Sequence, residues 1–183
     1  MNGLLKFSNV TLRRGGNLLF EDLGLELGHG EALRIAGPNG SGKSSLIRLA
    51  AGLLRPERGT VERSAVALAD DNLALDRELS LLSALRFWGG PVEDAMAALG
   101  LAELADVPVR LLSAGQAKRA ALARTAASGA PLWLLDEPAN ALDSHSAQLL
   151  ARTVERHRAS GGAVLAASHI PLAGEWRSLE LGG

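Results

Sequence analysis

A glycine-rich segment at residues 37–44 has the residue types needed to bind phosphate: Gly-Pro-Asn-Gly-Ser-Gly-Lys-Ser. It fits the pattern G-x-x-x-x-G-K-[ST], in which glycines without a Cβ turn backbone N–H groups towards a polyphosphate. We call this segment the P-loop and predict that it binds a nucleotide. The predicted nucleotide-binding residues of the loop, with the residue after it, are Gly37, Pro38, Asn39, Gly40, Ser41, Gly42, Lys43, Ser44 and Ser45.

The segments on either side of the P-loop favour this interpretation. Residues 32–36 are short and mostly apolar, as in a buried strand, and residues 44–51 carry apolar side chains at helical spacing. A helix that starts at the loop adds unpaired N–H groups and a partial positive charge. Lys43 is then predicted to contact the β- and γ-phosphates, and the Ser44 hydroxyl to bind Mg²⁺. A glycine-rich turn that binds nothing is the alternative.

An acidic pair, Asp136-Glu137, follows the apolar segment at residues 132–135. A carboxylate at the end of such a strand lies where Mg²⁺ held by Ser44 needs a second protein ligand, and we predict this role for Asp136. Glu137 is predicted to polarise the water that attacks the γ-phosphate. Taken alone, an acidic pair after a strand more often stabilises the start of a helix.

A third segment, Leu-Ser-Ala-Gly-Gln at residues 112–116, precedes a run of alanines and leucines at helical spacing. We call it the signature segment. Its small residues and hydroxyl could present N–H groups at a helix N-terminus to a phosphate. By itself, such a segment is more often a simple helix cap than a ligand site.

Together, the three segments resemble the nucleotide-binding subunits of ABC transporters, whose signature is Leu-Ser-Gly-Gly-Gln. Ala114 replaces the first glycine here. The resemblance covers nearly the whole chain, in the family's order and approximate spacing. It implies ATP and Mg²⁺ as cofactors and a head-to-tail homodimer. Ser113, Gly115 and Gln116 of one copy would then close over the ATP held by the other.

Further residues acquire roles only through this resemblance. Residues 141–143, Ala-Leu-Asp, are similar to the D-loop that crosses the dimer interface, and His169 to the switch histidine that contacts the γ-phosphate. Asn72 takes the place of a glutamine that helps to hold Mg²⁺ and senses the membrane subunit, and it is also a predicted nucleotide-binding residue. Arg14 takes the place of an aromatic residue that stacks on adenine, as a guanidinium also can. The predicted catalytic residues are Lys43, Glu137 and His169, and the predicted metal ligands are Ser44, Asp136 and Asn72.

Softer signals resemble one branch of this family, the ATP-binding subunit of the cytochrome c maturation haem exporter. They lie in residues 78–80, 85–88, 108–116, 130–138 and 168–172. This resemblance implies integral membrane transporter subunits as partners. It also implies a peripheral location on the cytoplasmic face of the bacterial inner membrane. No direct binding of haem is expected, since Trp88 and Trp133 alone are typical of core residues. The remaining histidines, His29, His145 and His157, are predicted to be solvated.

The element pattern predicts an α/β fold with a parallel sheet in a P-loop NTPase core and an N-terminal antiparallel β layer. Three short strands are predicted before the P-loop, at residues 4–12, 18–20 and 23–27. Strands around 132–135 and 164–167, joined by a helix at 144–159, imply right-handed parallel crossovers. Residues 1–183 are predicted to form a single domain, with a helical subdomain inserted at about 73–125 in which helices begin at Glu78 and Val92.

Composition limits the classes of partner and chemistry. The chain has 183 residues, with 19 basic and 20 acidic side chains, so no basic excess favours a nucleic acid as partner. It contains no cysteine, which excludes disulfides, thiolate metal sites and cysteine nucleophiles. No stretch has the apolar length of a transmembrane helix. Work at a membrane would therefore require a partner.

Four alternatives remain open at this point. The chain could serve another ABC exporter or importer, or it could be a soluble ABC-type ATPase of DNA repair or chromosome organisation. The latter proteins carry long coiled coils before the signature, and the interval of about 70 residues here has no sustained heptads. A P-loop small-molecule kinase would have no use for the signature segment. A non-enzymatic ATP-binding switch would be compatible with Asn72 and Arg14.

Overall fold

The computed structural model describes residues 3–182, which alternate strands and helices along the chain. The strands are β1 Leu5–Arg14, β2 Asn17–Leu27, β3 Ala32–Ala36, β4 Arg58–Arg63, β5 Val66–Ala69, β6 Leu132–Asp136, β7 Ala163–Ala167 and β8 Arg177–Glu180. The helices are α1 Lys43–Ala51, α2 Leu81–Arg86, α3 Val92–Ala98, α4 Ala114–Ala127 and α5 Ser144–Ala159, with single 3₁₀ turns at Ala102–Leu104 and Val109–Leu111.

A parallel sheet with the strand order β5-β6-β7-β3-β8 forms the centre of the molecule. The residues of β7 are buried throughout, as expected for a parallel strand covered on both faces. Because β3, β7 and β6 are parallel, the P-loop after β3 and Asp136 at the end of β6 lie at the same carboxyl edge of the sheet. Only β7 lies between these two strands. The predicted α/β fold with a parallel sheet is confirmed.

The antiparallel layer has the order β2-β1-β4. The prediction of three short strands before the P-loop is wrong in detail, because residues 17–27 form one strand and the third strand of the layer is β4, after α1. Asp22 adopts a φ of 49°, and the β1–β2 register shifts near Val10. These irregularities interrupt the alternation of apolar residues without ending the strand.

The β8 strand was not expected from the sequence. It pairs in parallel with β3 at the edge of the sheet, and only Leu179 in it is partly buried. A short edge strand of mostly exposed residues lacks the apolar run by which buried strands are recognised.

The helical segment after β5 differs from its predicted pattern. The α2 helix begins at Leu81 rather than at Glu78, because the Ser80 hydroxyl caps it by accepting the Ser83 amide at 3.4 Å. Its buried residues are Leu81, Ala84 and Leu85. Trp88 is typical of a core residue when taken alone, but in the structure both Trp88 and Leu79 are exposed. No helix among the described residues is long and apolar enough to cross a membrane.

His157 is not the solvated residue that the sequence suggested. Its half-buried ring stacks on the buried Trp133 at a centroid distance of 3.8 Å, and burial lowers the pKa of the imidazole. Gly162 makes room for this ring, because a Cβ there would collide with it. The stack lies at the opposite end of α5 from the strand edge that carries the P-loop and Asp136.

Candidate nucleotide-binding site

The P-loop connects the end of β3 to the start of α1. Gly37, Gly40 and Gly42 have φ angles of 138°, 84° and 102°, which residues with a Cβ rarely adopt. Gly42 is the N-cap of α1, and no described side chain caps this helix. The first N–H groups of α1 are therefore available to an anion, as at other phosphate-binding helix starts.

Lys43 is prepositioned above the loop. The residue is 7% exposed, and its Nζ donates hydrogen bonds to the carbonyl oxygens of Gly37 at 2.8 Å and Pro38 at 3.0 Å. These acceptors hold the ammonium group inside the curve of the loop. A phosphate oxygen that entered this curve could replace one of them in a stronger, charge-assisted hydrogen bond.

The start of the P-loop is packed beneath the chain that follows β8. The Leu181 amide donates to the Ala36 carbonyl at 2.9 Å, and a Cβ at Gly37 would collide with the Leu181 carbonyl oxygen. The unexpected β8 strand thus contributes to the site, because it fixes the backbone from which the loop departs.

Ser44 and Asp136 meet although they lie 92 residues apart, with Ser44 Oγ donating to Asp136 Oδ1 at 3.0 Å. Burial is the main cause that raises the pKa of Asp136, and the charge of Glu137 raises it further, while the Ser44 hydrogen bond lowers it. No group of three or more His, Cys, Asp or Glu side chains in residues 3–182 could hold a metal ion. The donor set nevertheless fits Mg²⁺, which is commonly held by one or two protein oxygens together with phosphates and waters.

Glu137 lies at the end of β6, beside His169 at the end of β7. Its Oε2 is 2.8 Å from His169 Nδ1 and accepts the His169 amide at 3.4 Å. Glu137 has a φ of 47°, and its amide donates to the Ala167 carbonyl at 2.9 Å. A positive φ in a residue with a side chain is uncommon and often marks a functional position.

Arg14 and Asn72, which take the places of the family's aromatic residue and glutamine, have different surroundings. Arg14 Nη1 donates to Ser45 Oγ at 3.4 Å, and Arg14 lines one open cavity with the P-loop and Glu137. Asn72 is exposed in the loop after β5, where its Oδ1 accepts the Ala74 amide at 3.3 Å. The structure thus brings Arg14 to the P-loop cavity, whereas Asn72 is engaged within its own loop and does not line that cavity.

The signature segment begins α4 and lies away from the P-loop of its own chain. Ser113 Oγ accepts the Gln116 amide at 3.3 Å, and Gln116 Oε1 accepts the Ser113 amide at 2.8 Å, which together form a capping box. A Cβ at Gly115 would lie 2.8 Å from the Ala141 carbonyl oxygen, so the segment packs against residues 141–143. None of its residues lines the P-loop cavity.

One residue of this region was missed by sequence reasoning. Lys118 in α4 is 8% exposed, and its Nζ donates to the main-chain oxygen of Asp136 at 3.1 Å and lies 3.4 Å from Asp71 Oδ1. A lysine in an alanine-rich helix is normally solvated, so its position carried no signal.

Comparisons with known proteins agree with this geometry. The sequence profile described as ABC transporter matches residues 20–140. The chain belongs to the ABC transporter family. Two curated relatives are both called cytochrome c biogenesis ATP-binding export protein CcmA. The protein from Sphingopyxis alaskensis is 54% identical over 94% of this chain and 93% of its own length. The protein from Novosphingobium aromaticivorans is 57% identical over 91% of this chain and 88% of its own length.

Solved structures share the fold. An ATP-binding subunit of an ABC transporter superimposes with a TM-score of 0.83 at 22% identity, covering 91% of this chain and 80% of that protein. A dimeric ATP-binding cassette bound to ADP and Pi, in a post-hydrolysis state, superimposes with a TM-score of 0.81 at 24% identity. The match covers 97% of this chain and 94% of that protein. Membership of the ABC family confirms the predicted ATP-binding subunit and its ATPase activity. It also excludes the small-molecule kinase.

Proposed function

We propose that this chain is the ATP-hydrolysing subunit of the haem exporter of cytochrome c biogenesis. The observation that carries the site assignment is the hydrogen bond between Ser44 Oγ and Asp136 Oδ1, beside a P-loop lysine. The export assignment comes from relatives at 54% and 57% identity whose name specifies cytochrome c biogenesis. Another ABC exporter or importer is the second candidate, since the site would serve it equally well.

The chain's own residues supply binding and orientation. Lys43 Nζ would leave the Gly37 and Pro38 carbonyls for the β- and γ-phosphates, while the loop amides surround them. Ser44 Oγ and an Asp136 carboxylate oxygen would hold Mg²⁺, which supplies charge neutralisation at the phosphates. Arg14 would contact the base, because it lines the same cavity as the P-loop and its guanidinium could stack on a base.

Glu137 is proposed as the general base. Its carboxylate lies at the P-loop cavity and would orient a water and accept a proton from it during in-line attack on the γ-phosphate. His169, hydrogen-bonded to Glu137 through Nδ1, would hold this carboxylate and leave Nε2 free to contact the γ-phosphate. The chemistry is positioning and electrostatic stabilisation, with no covalent intermediate.

A single copy would lack half of each site. The signature segment does not line its own P-loop cavity, and its residues are partly or fully exposed at the start of α4. We therefore infer a head-to-tail dimer in which Ser113, Gly115 and Gln116 of one copy close over the γ-phosphate of the other. The dimeric cassette of similar fold supports dimerisation.

The membrane partner is proposed to dock on residues 73–88 of the helical insertion. Phe87 is 82% exposed at the C-terminal end of α2, and its ring packs edge-on against the exposed Trp88 at a centroid distance of 5.8 Å. Two exposed aromatic rings in contact are typical of protein interfaces. The chain would thus be peripheral, at the cytoplasmic face of a bacterial inner membrane.

Affinity purification from native membranes tests this function. A Glu137→Gln protein, held with ATP and Mg²⁺, is expected to retain the membrane subunits of cytochrome c biogenesis, whereas a Lys43→Ala protein retains less of them. Recovery of a different permease would replace the haem assignment with the second candidate. Recovery without any membrane protein would contradict the transporter function.

A further inference from the structure

Lys118 occupies an unusual environment for a lysine. It lies in α4 with a side chain that is 8% exposed, in contact with the strand that ends at Asp136. Burying an ammonium group costs free energy unless hydrogen bonds compensate it. The compensating acceptors are the Asp136 main-chain oxygen at 3.1 Å and Asp71 Oδ1 at 3.4 Å.

The contact with Asp136 fixes one particular peptide group. The Asp136 carbonyl and the Glu137 amide belong to the same planar unit. The carbonyl accepts from Lys118 of α4, and the amide donates to the Ala167 oxygen of β7 at 2.9 Å. This peptide group is therefore held from both sides by different elements.

The same peptide group controls the direction of both carboxylates. The Asp136 side chain leaves the chain just before it, towards Ser44 Oγ, and the Glu137 side chain leaves just after it, towards His169. Glu137 has a φ of 47°, a conformation that persists only where surrounding contacts hold it. Lys118 is one of those contacts.

The two acceptors of Lys118 differ in strength. The Asp71 side chain is 94% exposed, so water screens its interaction with the ammonium group. The Asp136 carbonyl lies within the sheet edge and is the acceptor on which the position of Lys118 depends.

Lys118 also lies near the start of α4, whose N-cap is Ser113. It therefore joins the helix that presents the signature segment to the strand that presents the carboxylates. We propose that Lys118 is a positioning residue that fixes the Asp136–Glu137 peptide group and holds the signature helix to it. This inference rests on the proposed roles of Asp136 and Glu137.

Substitution by methionine tests the role of the ammonium donors. Lys118→Met keeps an unbranched side chain but removes the hydrogen bonds, so we expect kcat to fall by at least about tenfold. The Kd for ATP, measured without Mg²⁺, should stay within about twofold, since the P-loop contacts are unchanged. Lys118→Arg should restore most of kcat, because it keeps the charge and donors. The adjacent cavity, lined by Leu73, Ala117 and Asn140, has room for the longer side chain.

Arg119→Met provides the matched control. Arg119 is the next residue of α4, and its Nη1 donates to the carbonyls of Leu99 at 2.9 Å and Gly100 at 2.8 Å, away from the carboxylates. Loss of the Arg119 guanidinium should lower the melting temperature but leave kcat within about twofold of the wild type. Asp71→Asn should also leave kcat within about twofold. Phosphate release would be measured for all variants in the complex with the membrane subunits, and ATP affinity and thermal unfolding for the purified chain.

The outcomes separate this inference from the proposed function. An active wild type, a slow Lys118→Met and a rescued Lys118→Arg would support the positioning role. Equal loss of kcat in Lys118→Met and Arg119→Met, or full activity of Lys118→Met, would overturn that role and leave the ATPase intact. A wild-type protein that releases no phosphate would contradict the proposed function, and the positioning role with it.

Discussion

Ser44 Oγ and the Asp136 carboxylate form the most consequential contact at the scale of single residues. They meet at 3.0 Å, in a setting where burial raises the pKa of Asp136. The folded protein therefore keeps a carboxylate where its charge is costly, and the proposed Mg²⁺ would offset this cost. Such local costs are typical of sites whose ligand supplies the missing charge.

The free-energy cost of burying the charged Asp136 carboxylate predicts that the stability of the protein depends on pH. Because folding raises the pKa of Asp136, the folded state binds its proton more tightly than the unfolded state, and the free energy of unfolding falls as pH rises through that raised pKa. Without Mg²⁺ and nucleotide, Asp136→Asn should therefore melt above the wild type at pH 7, and the margin should be smaller at pH 4, near the ordinary pKa of an aspartate. Thermal unfolding at both pH values measures this. An Asp136→Asn protein that melts below the wild type at pH 7 would contradict it.

Lys43 gives a second prediction at this scale. Lys43→Ala removes the ammonium group over the P-loop, so the Kd for ATP should rise by at least about tenfold. Arg48→Ala is the control, because Arg48 is an exposed cation on the same helix. A fluorescent ATP analogue measures both. Equal affinities for the two variants would argue against the P-loop as the phosphate site.

The sequence predicted the residues of this site where a motif fixes both residue type and context. The P-loop, Asp136 and Glu137 follow strands at one sheet edge, so their proximity could be inferred from parallel topology. Lys118 could not be predicted, because its function depends on burial against Asp136 that no spacing encodes. The engagement of Asn72 by its own loop is equally a property of the fold.

At the scale of elements, α4 has two functions that must be separated. Its capping box stabilises the helix, and the same Ser113 hydroxyl is proposed to reach the ATP of a second copy. The sequence identified this helix start correctly, since capping is a local signal. It missed β8 and the continuity of β2, where an exposed edge and an irregular register leave no local signal.

A pair of capping variants distinguishes these functions. Ser113→Ala and Ser80→Ala each remove an N-cap hydroxyl, at α4 and α2, and each should cost about 0.5–2 kcal/mol of stability. Only Ser113→Ala should also reduce ATP hydrolysis, by about tenfold or more, because Ser80 lies outside the signature. Chemical denaturation and phosphate release measure the two effects. Equal hydrolysis by both variants would remove Ser113 from the site.

The stack of Trp133 and His157 gives a stability prediction for the packing of α5. Gly162→Ala would force a Cβ into the His157 ring and should destabilise the fold by about 1–3 kcal/mol. Gly24→Ala is the matched control, since a Cβ there meets nothing within 4 Å. Chemical denaturation of the two variants measures the difference. A Gly162→Ala protein as stable as the wild type would show that the ring moves aside freely.

At the scale of the whole molecule, the P-loop and the helix α4 that begins in the signature segment line different cavities. The P-loop, Arg14 and Glu137 line one cavity, while Ala114, Ala117, Lys118 and Ala121 of α4 line another with the loops after β5 and β6. In the proposed dimer, a second copy would bring a signature segment to each P-loop. ATP would then act as part of the interface, and its hydrolysis would reopen the dimer and transmit movement to the membrane subunits.

The most direct test of this account is the Glu137→Gln variant, assayed for phosphate release and for ATP-dependent dimer formation by light scattering. We predict that it binds ATP with wild-type affinity, loses at least about 100-fold in turnover, and accumulates as a dimer that the wild type forms only transiently. The amide keeps the size of the side chain but cannot accept the proton. Normal turnover in Glu137→Gln would contradict the central claim that Glu137 is the catalytic base of this ATPase.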